Sequence, residues 1–393
     1  MKFNIWEDCP KVPITELLSF IVDNRGKTVP TANDGWKLIA TNCVTNNTLF
    51  PVYEKVRYLT QETYETWFRA HPMPGDILFV NKGTPGRVCM VPDPVDFCIA
   101  QDMIALRADD KKIYNKYLFA VLRSREIQQQ IYNTNVGDVI PHFKKQFMDQ
   151  LLIPVPDRKI QEKIGNLYYQ LSYKVELNKK INENLLQQAV AVFNKFYDTS
   201  TNLQPFTTLI NVLGGGTPKT GNPEFWDGSI PFFTPKDVGT PYTFKTEKYI
   251  TEAGLNHCNS RLYPQNTTFV TARGTVGKIS LAGSPMAMNQ SCYALASKIV
   301  DPLLVYFYVL KAVTSLKHKA SGAVFDAIVT RDFDGEMINI LSDTDSESAL
   351  SIIKPMMEAI HNNSKENMRL SAVRDALLPK LISGEIDVSS LDI

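Results

Sequence analysis

A chain of 393 residues and 44.3 kDa, 44% hydrophobic and 21% charged, predicts two or more cored units and excludes disorder as the dominant state. Forty-two Lys and Arg against 41 Asp and Glu leave a formal net charge of +1, so any polyanion has to be met by local patches rather than by a global positive field. Six cysteines without a C-x-x-C pair exclude a disulfide framework or zinc ribbon. With no leader-like or membrane-spanning apolar run, the expectation is a soluble, unprocessed cytoplasmic protein with reduced thiols.

In chain order, a Leu-rich turn precedes a basic loop, Arg25-Gly26-Lys27-Thr28, and Trp36 follows close behind it. Residues 75–88 (GDILFVNKGTPGRV) form an apolar strand that runs into a glycine-bracketed turn flanked by bases, Lys82-Gly83-Thr84-Pro85-Gly86-Arg87. The alternation at 76–80 is that of a short strand. A second apolar strand at 103–106, an aromatic helix at 117–122 and a loop marked by Gly137 come next. From 158 to 198 there is no proline and one glycine, Gly165, which predicts a single helix of about 60 Å at 1.5 Å per residue. Positions 164, 171, 178, 185 and 192 read Ile, Leu, Asn, Leu, Val, and 160, 167 and 181 read Ile, Leu, Ile. This is a seam at heptad spacing in which Asn178 specifies register.

The order then repeats. The basic loop returns as Thr217-Pro218-Lys219-Thr220, with Phe225 and Trp226 nearby and Lys236 following. The strand and turn return 191 residues on as 266–279 (NTTFVTARGTVGKI), with Arg273-Gly274-Thr275-Val276-Gly277-Lys278 in the turn. A strand at 293–295, a helix at 305–310 and a loop at Gly322 follow, and a second long helix at 346–383 carries Ile353, Met357, Ile360, Leu370 and Leu377 and stops at Gly384. The chain is therefore a tandem duplication. Its expected segments are 1–157, 158–199, 200–343 and 344–393. Each long helix has an apolar stripe that needs a partner, and the other long helix is the nearest one. The expected seam residues are Ile164, Leu167, Leu171, Asn178 and Leu185 against Ile353, Met357, Ile360, Leu370 and Leu377.

Catalytic constellations are missing. The run Gly214-Gly215-Gly216-Thr217-Pro218-Lys219-Thr220 fails the P-loop spacing because Pro218 stands where the second glycine belongs. Five histidines show no H-x-x-x-H or H-E-x-x-H spacing, no G-x-S-x-G elbow occurs, and Asn222-Pro223-Glu224-Phe225 lacks the second proline of the motif that holds a flipped base in amino-methyltransferases. The chain reads as a binder of two similar things. Arg25, Lys27, Lys82, Arg87, Lys219, Lys236, Arg273 and Lys278 all sit beside Gly, Pro or Thr in turns. Such turns would let backbone N–H groups and the hydroxyls of Thr84, Thr220 and Thr275 approach phosphates while the long cations reach phosphates or base edges, the expected DNA-binding groups.

Gly215-Gly216-Thr217-Pro218 followed by Phe225-Trp226-Asp227-Gly228-Ser229-Ile230-Pro231-Phe232 resembles the opening of a target recognition domain in specificity subunits of type I restriction-modification systems. The stretch from Asn182 and the ending from Leu370 to Ile386 resemble that family's central and C-terminal helical regions. The resemblance covers essentially the whole chain. It implies an α+β fold of two similar recognition domains separated by two long antiparallel coiled-coil helices, with a pseudo-two-fold from the duplication. It further implies a non-catalytic subunit that reads a bipartite double-stranded DNA target and needs no cofactor or metal. Two methyltransferase subunits using S-adenosylmethionine, and up to two restriction subunits using ATP with Mg, are the partners it implies, with no membrane. The first domain departs from the pattern, with Asp23-Asn24-Arg25-Gly26-Lys27-Thr28-Val29-Pro30 in place of G-G-T-P, so an asymmetric target is expected. Two other functions compete: a specificity half detached from a single-chain enzyme that cuts and methylates, and a tandem protein-binding scaffold. Met1 and the short tail after Gly384 fit a whole chain better than a detached half, and a steep salt dependence of DNA binding separates a DNA reader from a scaffold.

Overall fold

The structure, a computed structural model, describes residues 4–24, 26, 28–134, 141–319 and 327–388. The chain divides into two compact units, Met1–Asn178 with Glu366–Ile393, and Lys179–Lys365. Each unit thus holds one copy of the repeat and one half of each long helix.

The first unit opens with α1 (Ile5–Asp8), β1 (Lys11–Pro13), β2 (Leu18–Val22), β3 (Trp36–Ile39), β4 (Arg57–Leu59) and α2 (Gln61–Thr66). It continues through β5 (Ile77–Val80), β6 (Val88–Met90), β7 (Phe97–Ile99), β8 (Met103–Ala108), α3 (Asn115–Leu122), α4 (Arg125–Asn133) and β9 (Leu152–Pro154) to α5 (Arg158–Thr199). Its sheets have the orders β2-β8-β5-β6, β4-β3-β7 and β1-β9. In the second unit follow β10 (Leu203–Pro205), β11 (Ile210–Gly214), β12 (Trp226–Phe233), β13 (Tyr242–Thr243), β14 (Lys248–Ile250), α6 (Glu252–Asn256), β15 (Thr268–Thr271) and β16 (Ile279–Ala282). After them come β17 (Ala287–Met288), β18 (Cys292–Ser297), α7 (Pro302–Lys319), α8 (Thr330–Asp334), β19 (Met337–Asn339) and α9 (Asp343–Ile382). The sheets are β11-β18-β15-β16-β13, β14-β12-β17 and β10-β19.

The duplication is visible in the register. Val80 faces Met103 in one unit and Thr271 faces Cys292 in the other, and each three-stranded sheet joins its parallel strand at Leu38↔Cys98 or Phe233↔Met288. Pairing is mostly antiparallel, and β13 is the addition peculiar to the second unit.

The central strands depart from the half-buried alternation expected of them. All four residues of β5 and of β15 are buried, because both sheet faces are covered. Ile77 and Phe79 join a core with Tyr117, Leu118 and Ile164, while Leu78 and Val80 join Ile39, Phe97 and Ile99 on the other side. In the second unit Val270 and Phe269 split in the same way. Burying each such side chain contributes about 1.5–3 kcal/mol, so these strands anchor the frame on which the turns are mounted.

The long helices pair antiparallel within each unit. In the first, Arg374 reaches the Ser172 hydroxyl (3.5 Å), and the Asn178 amide donates to Glu366 (2.7 Å) and Asn367 (2.9 Å). In the second, Asn182 donates to the Ile360 carbonyl (3.4 Å) and Ser364 (3.3 Å) and accepts from Asn363 (2.9 Å). Ile164, Asn178, Ile353, Met357 and Ile360 are buried, and Leu171, Leu185, Leu370 and Leu377 are half-buried. One row needs correction. The second buried row of α5 is Gln161, Tyr168, Val175, Asn182 and Ala189, one position beyond the expected row of 160, 167 and 181. Ile160 and Leu167 only flank the domain core, and Ile181 is 40% exposed. A hydrophobicity pattern misses this row because it is partly polar. Gln161, for example, is buried with its amide satisfied by the Tyr114 N–H (2.8 Å) and the Pro156 carbonyl (2.7 Å).

Candidate nucleic-acid interface

The two base-flanked turns adopt one geometry. Gly83, Gly86, Gly274 and Gly277 have φ of +86°, +87°, +82° and +71°, a region open to glycine and costly for L side chains. The first glycine of each turn has open space around it, whereas the second lies under a helix, Gly86 against Ile131 of α4 and Gly277 against Val313 of α7. Backbone bonds fix both turns alike. Asn81 and Lys82 donate to the Asp102 carbonyl, Ala272 and Arg273 to the Ser291 carbonyl, and the second glycine donates to Val80 (3.0 Å) or Thr271 (2.8 Å). A rigid turn therefore presents Lys82 and Arg87, or Arg273 and Lys278, to solvent. Among the described residues none of these four side chains has a hydrogen-bond or ion-pair partner. Thr84 is half-buried, while Thr275 is exposed with its hydroxyl donating to the Pro235 carbonyl (3.5 Å).

In the second unit the turn borders a cleft of about 440 Å³ lined by Thr217, Thr220, Trp226, Phe232, Thr234, Pro235, Lys236, Glu247, Lys248, Arg273, Gly274, Asn289 and Ser291. Of the residues singled out in the sequence, Thr220, Lys236 and Arg273 meet here. Lys219 is exposed beside them, and its carbonyl accepts from the Trp226 indole N–H (3.3 Å). The glycine pair explains the position of the loop. A Cβ at Gly215 would lie 2.2 Å from the Asn289 carbonyl oxygen, and one at Gly216 would lie 2.6 Å from the Asn259 nitrogen, so only glycine lets this segment press against the end of β17. Lys248, Glu247, Asn289 and Ser291 were not singled out in the sequence. One signal was available for Lys248, since Arg57 occupies the same position 191 residues earlier.

The first unit is built differently. Arg25 and Lys27 lie outside the described residues, as do the Gly137 and Gly322 loops. Asn24 takes over the anchoring done by glycine in the other copy, donating to the Ala70 carbonyl (2.8 Å) and accepting from the Arg69 N–H (2.9 Å). Trp36 stacks on Tyr64, which stacks on His71, with both centroid distances 4.0 Å. Beside them Lys37 pairs with Asp96 and lies 4.3 Å from the Tyr53 ring centroid, while the Tyr53 hydroxyl also donates to Asp96. That lysine is neutralised in place.

The family described as "Type I restriction modification DNA specificity domain" matches residues 11–187 and 207–368. The chain belongs to that family. It is a specificity subunit, a non-catalytic DNA-recognition component, with two recognition domains in tandem. Similar proteins include the type I restriction enzyme MjaIX specificity subunit of Methanocaldococcus jannaschii, 28% identical over 168 residues, 41% of this chain and 39% of that one. The HindI specificity subunit of Haemophilus influenzae is 21% identical over 408 residues, 79% of this chain and 86% of that one. The match thus spans under half of the first relative and most of the second. Among solved structures, the type I restriction-modification S subunit from M. genitalium superposes with a TM-score of 0.60 at 15% identity, covering 97% of this chain and 98% of that one. No helix among the described residues of this specificity subunit is long and apolar enough to cross a membrane.

Proposed function

We propose that this specificity subunit reads an asymmetric, bipartite double-stranded DNA target, one half-site per recognition domain, with the domains at 1–157 and 200–343. In this reading the helical segments 158–199 and 344–393 set the unread spacer and dock two methyltransferase subunits, which bind S-adenosylmethionine and methylate an adenine in each half-site. Up to two restriction subunits that use ATP and Mg join that complex in the bacterial cytoplasm. The observation that carries the reading is the same rigid two-cation turn mounted on two domains of one topology whose other loops differ. Phosphate contacts from such turns position the protein, and the differing loops supply sequence readout. An exposed apolar stripe on the first unit's half of α5 supports docking. Tyr169 and Tyr173 stack at 5.8 Å, and Tyr173 and Leu177 are 46% and 40% exposed.

The test is single-molecule sequencing of adenine methylation in cells expressing this chain with a methyltransferase subunit, against the methyltransferase alone. The expected result is a new motif of two different short blocks separated by a fixed gap. No new methylation despite a purified complex of the two proteins would overturn the reading.

A further inference from the structure

We propose that the cleft of the second unit is a phosphodiester clamp for one DNA strand, and that Glu247 is its resident counter-anion, occupying the phosphate's place until DNA displaces it. The proposal rests on the DNA-reading function and names the part of the DNA that this site takes.

Shape comes first. The grooves of a duplex are concave and are read by protruding elements, whereas the sugar–phosphate strand is its convex ridge. A cleft of about 440 Å³, small within the roughly 300–1,000 Å³ of small-ligand sites, matches one or two backbone units of that ridge. Its chemistry is divided as that ligand is. Arg273, Lys236 and Lys248 supply positive charge at the rim, and Thr217, Thr220, Asn289 and Ser291 supply polar groups. Trp226 with the buried edge of Phe232 supplies an apolar wall for deoxyribose. Low-dielectric walls around like charges focus the field on a bound anion.

An extruded base fits less well. The Trp226 and Phe232 rings are perpendicular, at 89°, so they form no parallel slot, and the Lys248 ammonium already stands 5.4 Å from the indole centroid. The anion site is not empty of negative charge. The Glu247 carboxylate lies 3.6 Å from the Lys236 ammonium, with the side chains 59% and 80% exposed. A pair that exposed is weak and readily exchanged. In the first unit a differently placed pair, Lys37 with Asp96, is held by Tyr53. Glu247 therefore lowers the affinity of the cleft for arbitrary DNA and yields when a phosphate is properly placed.

The experiment uses the full chain carrying 5-fluorotryptophan, which gives four ¹⁹F resonances from its four tryptophans, with the Trp226 signal assigned by Trp226→Phe. A fluorescein-labelled mixed-sequence duplex of about 30 base pairs is titrated at about 20 mM salt, where phosphate contacts are strongest. The Trp226 resonance is expected to shift. Arg273→Ala should weaken binding about five- to tenfold and reduce the salt slope by about 0.9, one phosphate's worth. Glu247→Gln should tighten binding about two- to fivefold, the range of an exposed ion pair. Melting curves establish that both variants are folded. Binding with an unmoved Trp226 signal, or an unchanged affinity of Glu247→Gln, overturns the clamp and leaves DNA reading intact. A shift accompanied, in a second duplex that carries one 2-aminopurine, by a rise in that base's fluorescence overturns it in favour of base capture. No duplex binding at all removes the DNA reading of the chain and the clamp with it.

Discussion

Single residues decide how the recognition domains respond to their surroundings. His71 lies at the end of the Trp36–Tyr64 stack with its Nδ1 buried and, among the described residues, without a hydrogen-bond partner. Burial lowers its pKa from 6.5, against a smaller opposing effect of a backbone hydrogen bond with Tyr64. The folded unit therefore holds the neutral ring, and the unfolded chain binds the proton more readily. The stabilisation is present above pH 6.5 and is lost as pH falls through the lowered folded value. His71→Phe keeps the stack and removes the proton, so the drop in melting temperature between about pH 7.5 and about pH 5 should shrink in the variant. Equal drops in both proteins would show that another group carries the acid sensitivity.

At the scale of elements, the polar middle of the helix pair has a cost and a use. Asn178 is 1% exposed and bonds both Glu366 and Asn367, so the two helices meet in one register or leave buried polar groups unpaired. Asn178→Leu removes the donor and strands the Asn367 amide oxygen. Unfolding by urea should show a loss of about 1–3 kcal/mol with an unchanged slope. A gain in stability would mean that packing outweighs the network. Gly165 makes a different kind of constraint legible. A Cβ there would lie 2.6 Å from the Tyr117 nitrogen, so the lone glycine of α5 marks where this helix passes the backbone of α3.

For the whole molecule the duplication is the governing fact. Arg273 and Lys278 belong to the second unit alone. Replacing both with Ala should weaken recognition at one half-site, read as reduced methylation of motifs altered in that block, while the other block keeps its specificity. Equal loss in both blocks would contradict one domain per half-site. Inserting seven residues after Asn178 preserves the seam's phase, because seven residues make two heptad-type turns. The methylated motif should keep both blocks and change its gap, and an unchanged gap would sink the helices' role as a spacer.

Much of this was legible in the sequence because it depends on local rules. The turns declare themselves through glycines at positions of positive φ, the long helices through uninterrupted helix formers, and the two recognition domains through a repeat offset of 191 residues. What the residues near one another in sequence could not determine was decided by distant ones. The second buried row of α5 sits one position from the expected 160, 167 and 181 because Gln161 and Asn182 find partners across the fold. The strands β5 and β15 are buried on both faces because a helix covers one side and a second sheet the other. The cleft unites Thr217, Lys236, Lys248, Arg273 and Asn289, residues spread over a stretch of more than 70 positions in the chain. Propensity and periodicity act over a few residues, whereas satisfying a buried polar group or closing a charged cleft requires the folded chain.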